Sequence, residues 1–424
     1  MLRVAMISVH TCPLAHLGSS ETGGMNVYIR ELSRHLGARG MAVDVFTRRQ
    51  VPGVDEVVQF GPNARVIHLD AGPTKSLDKY RVLEYLPQFI DNLGRFVRRD
   101  DRRYDLIHSH YWLSGPVAMS LAREWDVPLV TMFHTLGRVK NTVSRNGHEM
   151  EHSARIDIEQ ATMDASNMIV AASPADLEHM LSYYEATESR IRVIPEGVDT
   201  SVFHPDRGPV AHPAAGVERE KRLLFVGRIQ RLKGIDLLLR AFAILLSSWH
   251  DGLPPSLTVV GGVSAAGAAD PETVERARLQ RLASDLGVEG HVTFHDAVPH
   301  NQLPYYYSAA DVVAVPSTYE SFGLVALEAM ASGTPVVASR VGGLQWTVRD
   351  GETGFLVSPR SPQHFASALS RILRDDSLNA RMSKAAVRTA EEFSWDVVAS
   401  RVASVYSDLM PCGCSAGAFA SSLA

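Results

Sequence analysis

The sequence predicts an α/β chain folded as two doubly wound parallel-sheet domains in tandem, and three observations point there. Short β-branched runs alternate with helix-length amphipathic stretches, the pattern of βαβ units. At 424 residues the chain exceeds what one hydrophobic core organises, so two domains of about 200 residues each are expected. Midway, the stretch DRGPVAHPAAGVERE at 206–220 breaks the alternation with prolines, glycines and small residues, as an interdomain linker does.

The first series of strand-like runs is VAMISVH (4–10), VDVFTR (43–48), VIHLD (66–70), LIHSH (106–110), LVTMFH (129–134), MIVAAS (168–173) and IRVIPEGVD (191–199). The second is LLFVGR (223–228), LTVVGG (257–262), VTFHDAV (292–298), DVVAVPS (311–317), PVVASR (335–340) and FLVS (355–358). These runs place a first domain at 1–205 and a second at 221–395. Helical periodicity returns at 396–410, and the small-residue tail 411–424 reads as a frayed terminus. Open α/β sheets bind ligands at the carboxyl ends of their strands, so two facing sheets make an interdomain cleft whose motifs sit just after strands.

Composition narrows the class. A hydrophobic fraction of 45% and a charged fraction of 21% are ordinary for a globular chain. The net charge of −5 lacks the footprint of a nucleic-acid binder, while leaving room for a local basic pocket. Cysteine occurs only at Cys12, Cys412 and Cys414, which excludes a disulfide framework and a zinc cluster. No run approaches the length of a membrane span or a signal-peptide core, and the expected location is cytoplasmic.

Three segments carry the chemistry. After the first strand, His10 is followed by Glu21, Thr22, Gly23, Gly24, Met25 and Asn26 at the start of an amphipathic helix. Glycines there let backbone N–H groups approach an anion at a helix N-terminus, although a plain glycine turn would read the same. In the second domain FVGRIQRLKG places Arg228 and Lys233 straight after a strand, where two cations can neutralise a diphosphate leaving group. Lys233 precedes Gly234 rather than a hydroxyl residue, so this is not a P-loop, and solvated surface cations are the plainer alternative. The third segment is ESFGLVALE: Glu320 ends a strand at the cleft, Gly323, Leu324 and Val325 open a helix able to hold phosphate, and Glu328 on that helix can accept two ribose hydroxyls. An amphipathic helix with two exposed glutamates is the bland reading of the same residues.

ESFGLVALE, VGRIQRLKG and the early glycine-led helix together resemble family 4 of the retaining glycosyltransferases, over essentially residues 1–410. The resemblance implies the GT-B fold, two Rossmann-like domains around a nucleotide-sugar cleft, with a C-terminal helix that crosses back onto the first domain. It implies that Arg228 and Lys233 bind the donor diphosphate with Gly24, Gly323, Leu324 and Val325. Glu328 would then take the ribose, Glu320 the hexose and the Val298 backbone the base. His134 would position the donor sugar, which makes His134, Arg228, Lys233 and Glu320 the catalytic set.

Within the family, SVHTCPL, ETGGMNVYIREL, DLIHSHYWLSG and FHTLGRVKN look most like the branch that moves N-acetylglucosamine from UDP-GlcNAc onto 1D-myo-inositol 3-phosphate in mycothiol synthesis. That branch grips the acceptor phosphate with a lysine, a tyrosine, a threonine and an arginine, which map to Lys79, Tyr111, Thr135 and Arg155. His10, Glu21, Thr22, Gly23 and Asn26 would complete the acceptor site. Each has a plain alternative as a surface charge, a core aromatic or a helix-face residue.

Departures are visible too. The branch carries arginine where this chain has Val298, and the 206–220 segment has no match. A sucrose-phosphate synthase-like enzyme, transferring glucose to fructose 6-phosphate, competes, but usually has glutamine after the paired glycines where this chain has Met25-Asn26. A UDP-GlcNAc 2-epimerase and a non-catalytic nucleotide-sugar binder fit the same fold. No metal-binding motif appears at the donor site, so no cofactor beyond the nucleotide sugar is expected; the resemblance alone implies front-face substitution with retention and a homodimer.

Overall fold

The structure is a computed structural model that describes residues 1–15, 23–144, 150–207, 219–262 and 271–410. Among these residues the strands are β1 (Arg3–Ile7), β2 (Ala42–Arg48), β3 (Val57–Gly61), β4 (Ala64–Leu69), β5 (Leu106–His110), β6 (Leu129–Met132), β7 (Met168–Ala171) and β8 (Ile191–Val193) in the first half. The second half holds β9 (Arg222–Val226), β10 (Ser256–Val260), β11 (Val292–His295), β12 (Val312–Val315), β13 (Val336–Ser339) and β14 (Gly354–Val357).

They form two sheets, ordered β3-β4-β2-β1-β5-β6-β7-β8 and β11-β10-β9-β12-β13-β14. All pairings are parallel except β3 with β4, an antiparallel edge that the sequence pattern did not show. Central strands such as β2 and β5 are buried at every position, because helices cover both faces. Each fully buried valine or leucine on them contributes about 1.5–3 kcal/mol.

Strand order reverses between β1 and β5 in the first sheet and between β9 and β12 in the second. At such a reversal the following helices leave on opposite faces, and the strand ends open a crevice. The glycine-led helix, Tyr111, Thr135, Arg228 and Glu320 follow one of these four strands or β6, while Lys79 and Val298 follow β4 and β11.

The chain crosses between the sheets twice, and the crossings touch. Val198 N–H donates to the Phe393 carbonyl at 2.9 Å. Trp395, 2% exposed, then opens the helix Trp395–Leu409. That helix lies against Gly24–Ala38 of the first domain, with Trp395 edge-on to Tyr28 at 5.6 Å and Tyr406 hydroxyl 2.6 Å from His108 Nδ1. A Cβ on Gly197 would meet the Trp395 ring at 2.6 Å, so the first crossing packs directly on the indole.

Of the 206–220 segment, 208–218 lies outside the described residues, as does 411–424 with Cys412 and Cys414. At its end Arg219 pairs with Asp311 at the foot of β12. Trp395→Ala should cost about 3–5 kcal/mol, as large-to-small core changes do. Urea unfolding measures it; an unchanged midpoint would show that the paired crossings do not depend on the indole.

Candidate active site

The second-domain face of the cleft forms where the loop after β9 clasps the loop after β12. Thr318 N–H donates to Leu232 O at 2.8 Å. Lys233, closing the turn Arg231–Lys233, sets its Nζ 2.6 Å from Glu320 Oε2, and Ser317 Oγ donates to the same oxygen at 3.2 Å. Arg228, half-buried, follows β9. Glu320 does not end a strand as expected: β12 stops at Val315. The loop beyond is set by Gly343 N–H on the Glu320 carbonyl at 3.0 Å, so it is this clasp rather than the sheet that aims the carboxylate.

Two helix N-termini meet at the cleft. Gly323 caps Leu324–Ala331 with φ of +101°, where a Cβ would strike Leu344 at 2.6 Å. Leu324 and Val325 are half-buried on the first turn. Across from them Gly24 begins Gly24–Ala38, and a Cβ there would lie 3.0 Å from Leu324 Cδ1. The absent side chain lets the two backbones approach, and both dipoles point positive ends at the same space. Gly23 leads this helix in, its N–H donating to Asn26 Oδ1 at 3.0 Å. Asn26 Nδ2 donates to Thr11 Oγ1 at 2.8 Å and to Cys12 O at 2.7 Å. Asn26, expected as an acceptor contact, is buried and holds this loop on the helix.

Glu328 is buried, not exposed: His300 Nε2 lies 2.6 Å from one carboxylate oxygen, and Tyr307 hydroxyl donates to the other at 2.9 Å. Each oxygen keeps a lone pair for a further donor. Val298, His300 and Glu328 line a cleft of about 600 Å³ with Val27, Arg30 and Arg34 of the first domain. That volume is in the range of small-molecule sites.

The first domain gathers Lys79, Tyr111, Thr135 and Arg155. Arg48, buried at the end of β2, donates to Pro73 O at 2.8 Å and Lys75 O at 2.6 Å, fixing the loop that leads to Lys79. Asp78 caps the short helix Lys79–Val82 by accepting from Tyr80 N–H. Arg155, 0% exposed on the helix Ser153–Ala165, donates from Nη2 to Thr135 O at 2.8 Å and Thr135 Oγ1 at 3.0 Å. Its guanidinium lies 5.2 Å from the Tyr111 ring centre, with the Tyr111 hydroxyl 3.4 Å from Nη1. His10 stacks on Tyr111 at 5.4 Å.

Sequence reasoning missed what joins these groups. Glu151 sits between Lys79 (2.6 Å), Lys140 (2.7 Å) and Arg155 (3.0 Å), and Tyr80 hydroxyl donates to it at 2.6 Å. The spacing of Glu151, Arg155 and Glu159 at four residues was the available signal. Glu159 accepts from Arg155 Nε at 2.7 Å and from Gly137 N–H at 2.9 Å.

His134 lies two residues beyond β6 with φ of +60°, and Tyr111 follows β5 with φ of +70°. His134 Nε2 lies 3.1 Å from His110 Nδ1, and its Nδ1 faces Glu196 Oε1 at 3.7 Å. Burial lowers His108 to about 3 and His110 well below the usual histidine range, so both supporting imidazoles stay neutral. Glu196, also missed, comes from the loop after β8; burial, then Glu196, pushes Asp176 well above the ordinary carboxylate range. Glu21 and Thr22 lie outside the described residues. No group of three metal-ligating side chains occurs among the described residues.

Facing sheets, opposed helix termini and cations at a strand end define a nucleotide-sugar-dependent glycosyltransferase of the GT-B class. The comparisons agree. Residues 22–202 match the family model "Glycosyltransferase Family 4" and residues 212–389 match "Glycosyl transferases group 1". The chain is 42% identical over 416 residues to the D-inositol 3-phosphate glycosyltransferase of Corynebacterium jeikeium, covering 97% of this chain and 98% of that one. Among solved structures it is similar to sucrose-phosphate synthase from Thermosynechococcus elongatus, with TM-score 0.86, 34% identity, and 96% and 99% of the two chains covered. Anabaena HepE, solved with UDP and glucose, shares the fold at TM-score 0.72 and 19% identity, over 96% of this chain and 100% of that one. The chain belongs to glycosyltransferase family 4. No helix among the described residues is long and apolar enough to cross a membrane.

Gly323→Ala should cost about 1–3 kcal/mol from the left-handed backbone alone, and the Leu344 collision should also raise the donor KM. Thermal unfolding and donor titration measure the two; wild-type values in both would remove Gly323 from the donor site.

Proposed function

We propose that the protein transfers N-acetylglucosamine from UDP-GlcNAc to 1D-myo-inositol 3-phosphate with retention of configuration. The observation that carries this reading is the gathering of four separate segments on one guanidinium: Tyr111 and Thr135 contact Arg155 directly, Lys79 joins it through Glu151, and His10 stacks on Tyr111. A lysine, a buried arginine and two hydroxyls suit a phosphate monoester and have no use for a neutral sugar. The 42% identity with the corynebacterial enzyme supports the same acceptor.

Residues 1–205 would hold the acceptor and 221–395 the donor, with a linker at 206–220 and the helix at 396–410 returning to the first domain. The uridine would lie in the cleft bordered by Val298, its ribose on Glu328. The diphosphate would sit between the two helix termini, against Arg228 and Lys233. His134 and Glu320 would orient the hexose. The bond from the anomeric carbon to the diphosphate oxygen breaks as the acceptor oxygen bonds to that carbon from the same face. The departing phosphate oxygen takes the acceptor's proton, and Arg228, Lys233 and the helix termini stabilise the charge left on UDP.

Lys233→Ala should lower the turnover rate about 10²-fold, the loss of about 3 kcal/mol of transition-state stabilisation. Single-turnover kinetics measures this, and a full rate in the variant would sink the assignment. Lys79→Met should instead raise the acceptor KM about tenfold or more while leaving slow UDP-GlcNAc hydrolysis intact; equal losses in both would place Lys79 in the donor site.

The sucrose-phosphate synthase likeness makes glucose transfer to fructose 6-phosphate the second reading. The deciding experiment offers UDP-GlcNAc, UDP-glucose and GDP-sugars, each with and without inositol 3-phosphate or fructose 6-phosphate, and follows nucleotide release and the new glycoside. Release from UDP-GlcNAc that depends on inositol phosphate supports the proposal. Glucose transfer to fructose 6-phosphate replaces the acceptor and sugar while keeping the donor cleft.

A further inference from the structure

The carboxylate of Glu151 stands between two of the four predicted phosphate ligands, Lys79 and Arg155, while Tyr111 and Thr135 meet the same Arg155 guanidinium. Oε1 receives Lys79 at 2.8 Å, Lys140 at 2.7 Å and Arg155 Nη1 at 3.0 Å; Oε2 receives Lys79 and the Tyr80 hydroxyl, each at 2.6 Å. Five donor contacts thus crowd two oxygens that offer about four lone-pair sites between them. A phosphate monoester brings three strong acceptor oxygens and nearly two negative charges to the same donors.

Charge balance sharpens the point. Three cations, Lys79, Lys140 and Arg155, face two carboxylates, Glu151 and Glu159, and Glu159 is bound to Arg155 Nε and Gly137 N–H on the far side. A dianion added beside both carboxylates would leave the cluster negative. If it replaced Glu151, two positive charges would remain to meet two negative ones. Burial opposes ionisation of Glu151, yet Arg155, Lys140 and Lys79 outweigh it and hold the carboxyl well below the usual range.

We propose that Glu151 is an internal stand-in for the acceptor phosphate: its carboxylate pairs Lys79, Lys140 and Arg155, and the incoming phosphate displaces it from all three. Lys140 becomes a further ligand of that phosphate. The backbone of Glu151 is anchored separately, its N–H donating to Asn141 Oδ1 at 2.7 Å, so the side chain can leave while the main chain stays. Phosphate affinity is then a difference between two anions competing for one set of cations, which sets both how tightly the acceptor is held and how readily a phosphorylated product leaves. This rests on the reading that the pocket receives the acceptor phosphate.

The test titrates inorganic phosphate into the full-length wild type, Glu151→Gln and Lys140→Met by calorimetry, with thermal unfolding in parallel. Glu151→Gln should bind phosphate at least tenfold more tightly and gain more in Tm from it than the wild type, because the competing charge is gone. Lys140→Met should bind at least tenfold more weakly. A folded Glu151→Gln that binds phosphate no better than the wild type overturns the proposal, since a permanent counter-ion would behave so. If Glu151→Gln folds poorly, inorganic phosphate should restore it, and failure to do so likewise overturns the proposal. Inorganic phosphate does not depend on which acceptor is used. Tighter binding by Glu151→Gln, in a protein that transfers nothing to inositol phosphate, would therefore keep this inference and dismiss only the acceptor assignment.

Discussion

Everything at the cleft depends on two chain crossings that lie side by side. Two sheets joined by one strand of polypeptide could face each other in many ways. Here the outgoing crossing at Val198 and the returning one at Phe393 share a hydrogen bond, and the Trp395 ring fills the space that Gly197 leaves. The helix Trp395–Leu409 then packs on Gly24–Ala38, the same helix whose first residue meets Leu324 across the cleft. The element that binds the domains together is thereby also the one that presents an anion-binding terminus. A shift at the crossings would move Gly24 relative to Leu324, and with it the space between the two helix dipoles.

The two halves of the cleft handle negative charge differently. Around Glu320 two helix termini supply partial charges already fixed by folding, beside a Lys233 paired with Glu320. Around Glu151 the positive groups are full side-chain charges, one of them, Arg155, wholly buried. A buried guanidinium is tolerable only when its donors are met. Glu159, Thr135 and Glu151 meet them, from the following turn of its helix, the loop after β6 and the segment just before the helix. A cationic cluster built this way must carry its own counter-ions.

The legibility of the sequence follows from which contacts are local. Strands β2 and β5 stood out because burial on both faces forces a continuous apolar run. Strand β3 did not: it is a half-exposed edge with Val57 in solvent, paired antiparallel to β4 through a short turn at Pro62-Asn63, and its pattern resembles a loop. ESFGLVALE was readable because one segment carries donors and acceptors together, although its two glutamates proved to be held by partners far along the chain, Lys233 and His300. Lys79, Tyr111, Thr135 and Arg155 came from resemblance alone, since nothing in their spacing joins four distant segments. Lys140 went unread for the same reason, and Glu151 left only its four-residue spacing from Arg155 as a trace.

Backbone strain marks the same places that topology does. Tyr111 has φ of +70° and ψ of 156°, a region that is essentially glycine's, and His134 has φ of +60°. Both lie immediately beyond adjacent strands of the first sheet, β5 and β6, and both are pinned by side-chain contacts, Tyr111 between His10 and Arg155, His134 between His110 and Tyr28. A chain relaxing either residue would turn its ring away from the cleft and lose those contacts. Neutral His108 and His110 behind them matter for that reason: protonating either would place an unpaired charge in a fully buried stack, so burial that keeps them uncharged also keeps His134 where it stands.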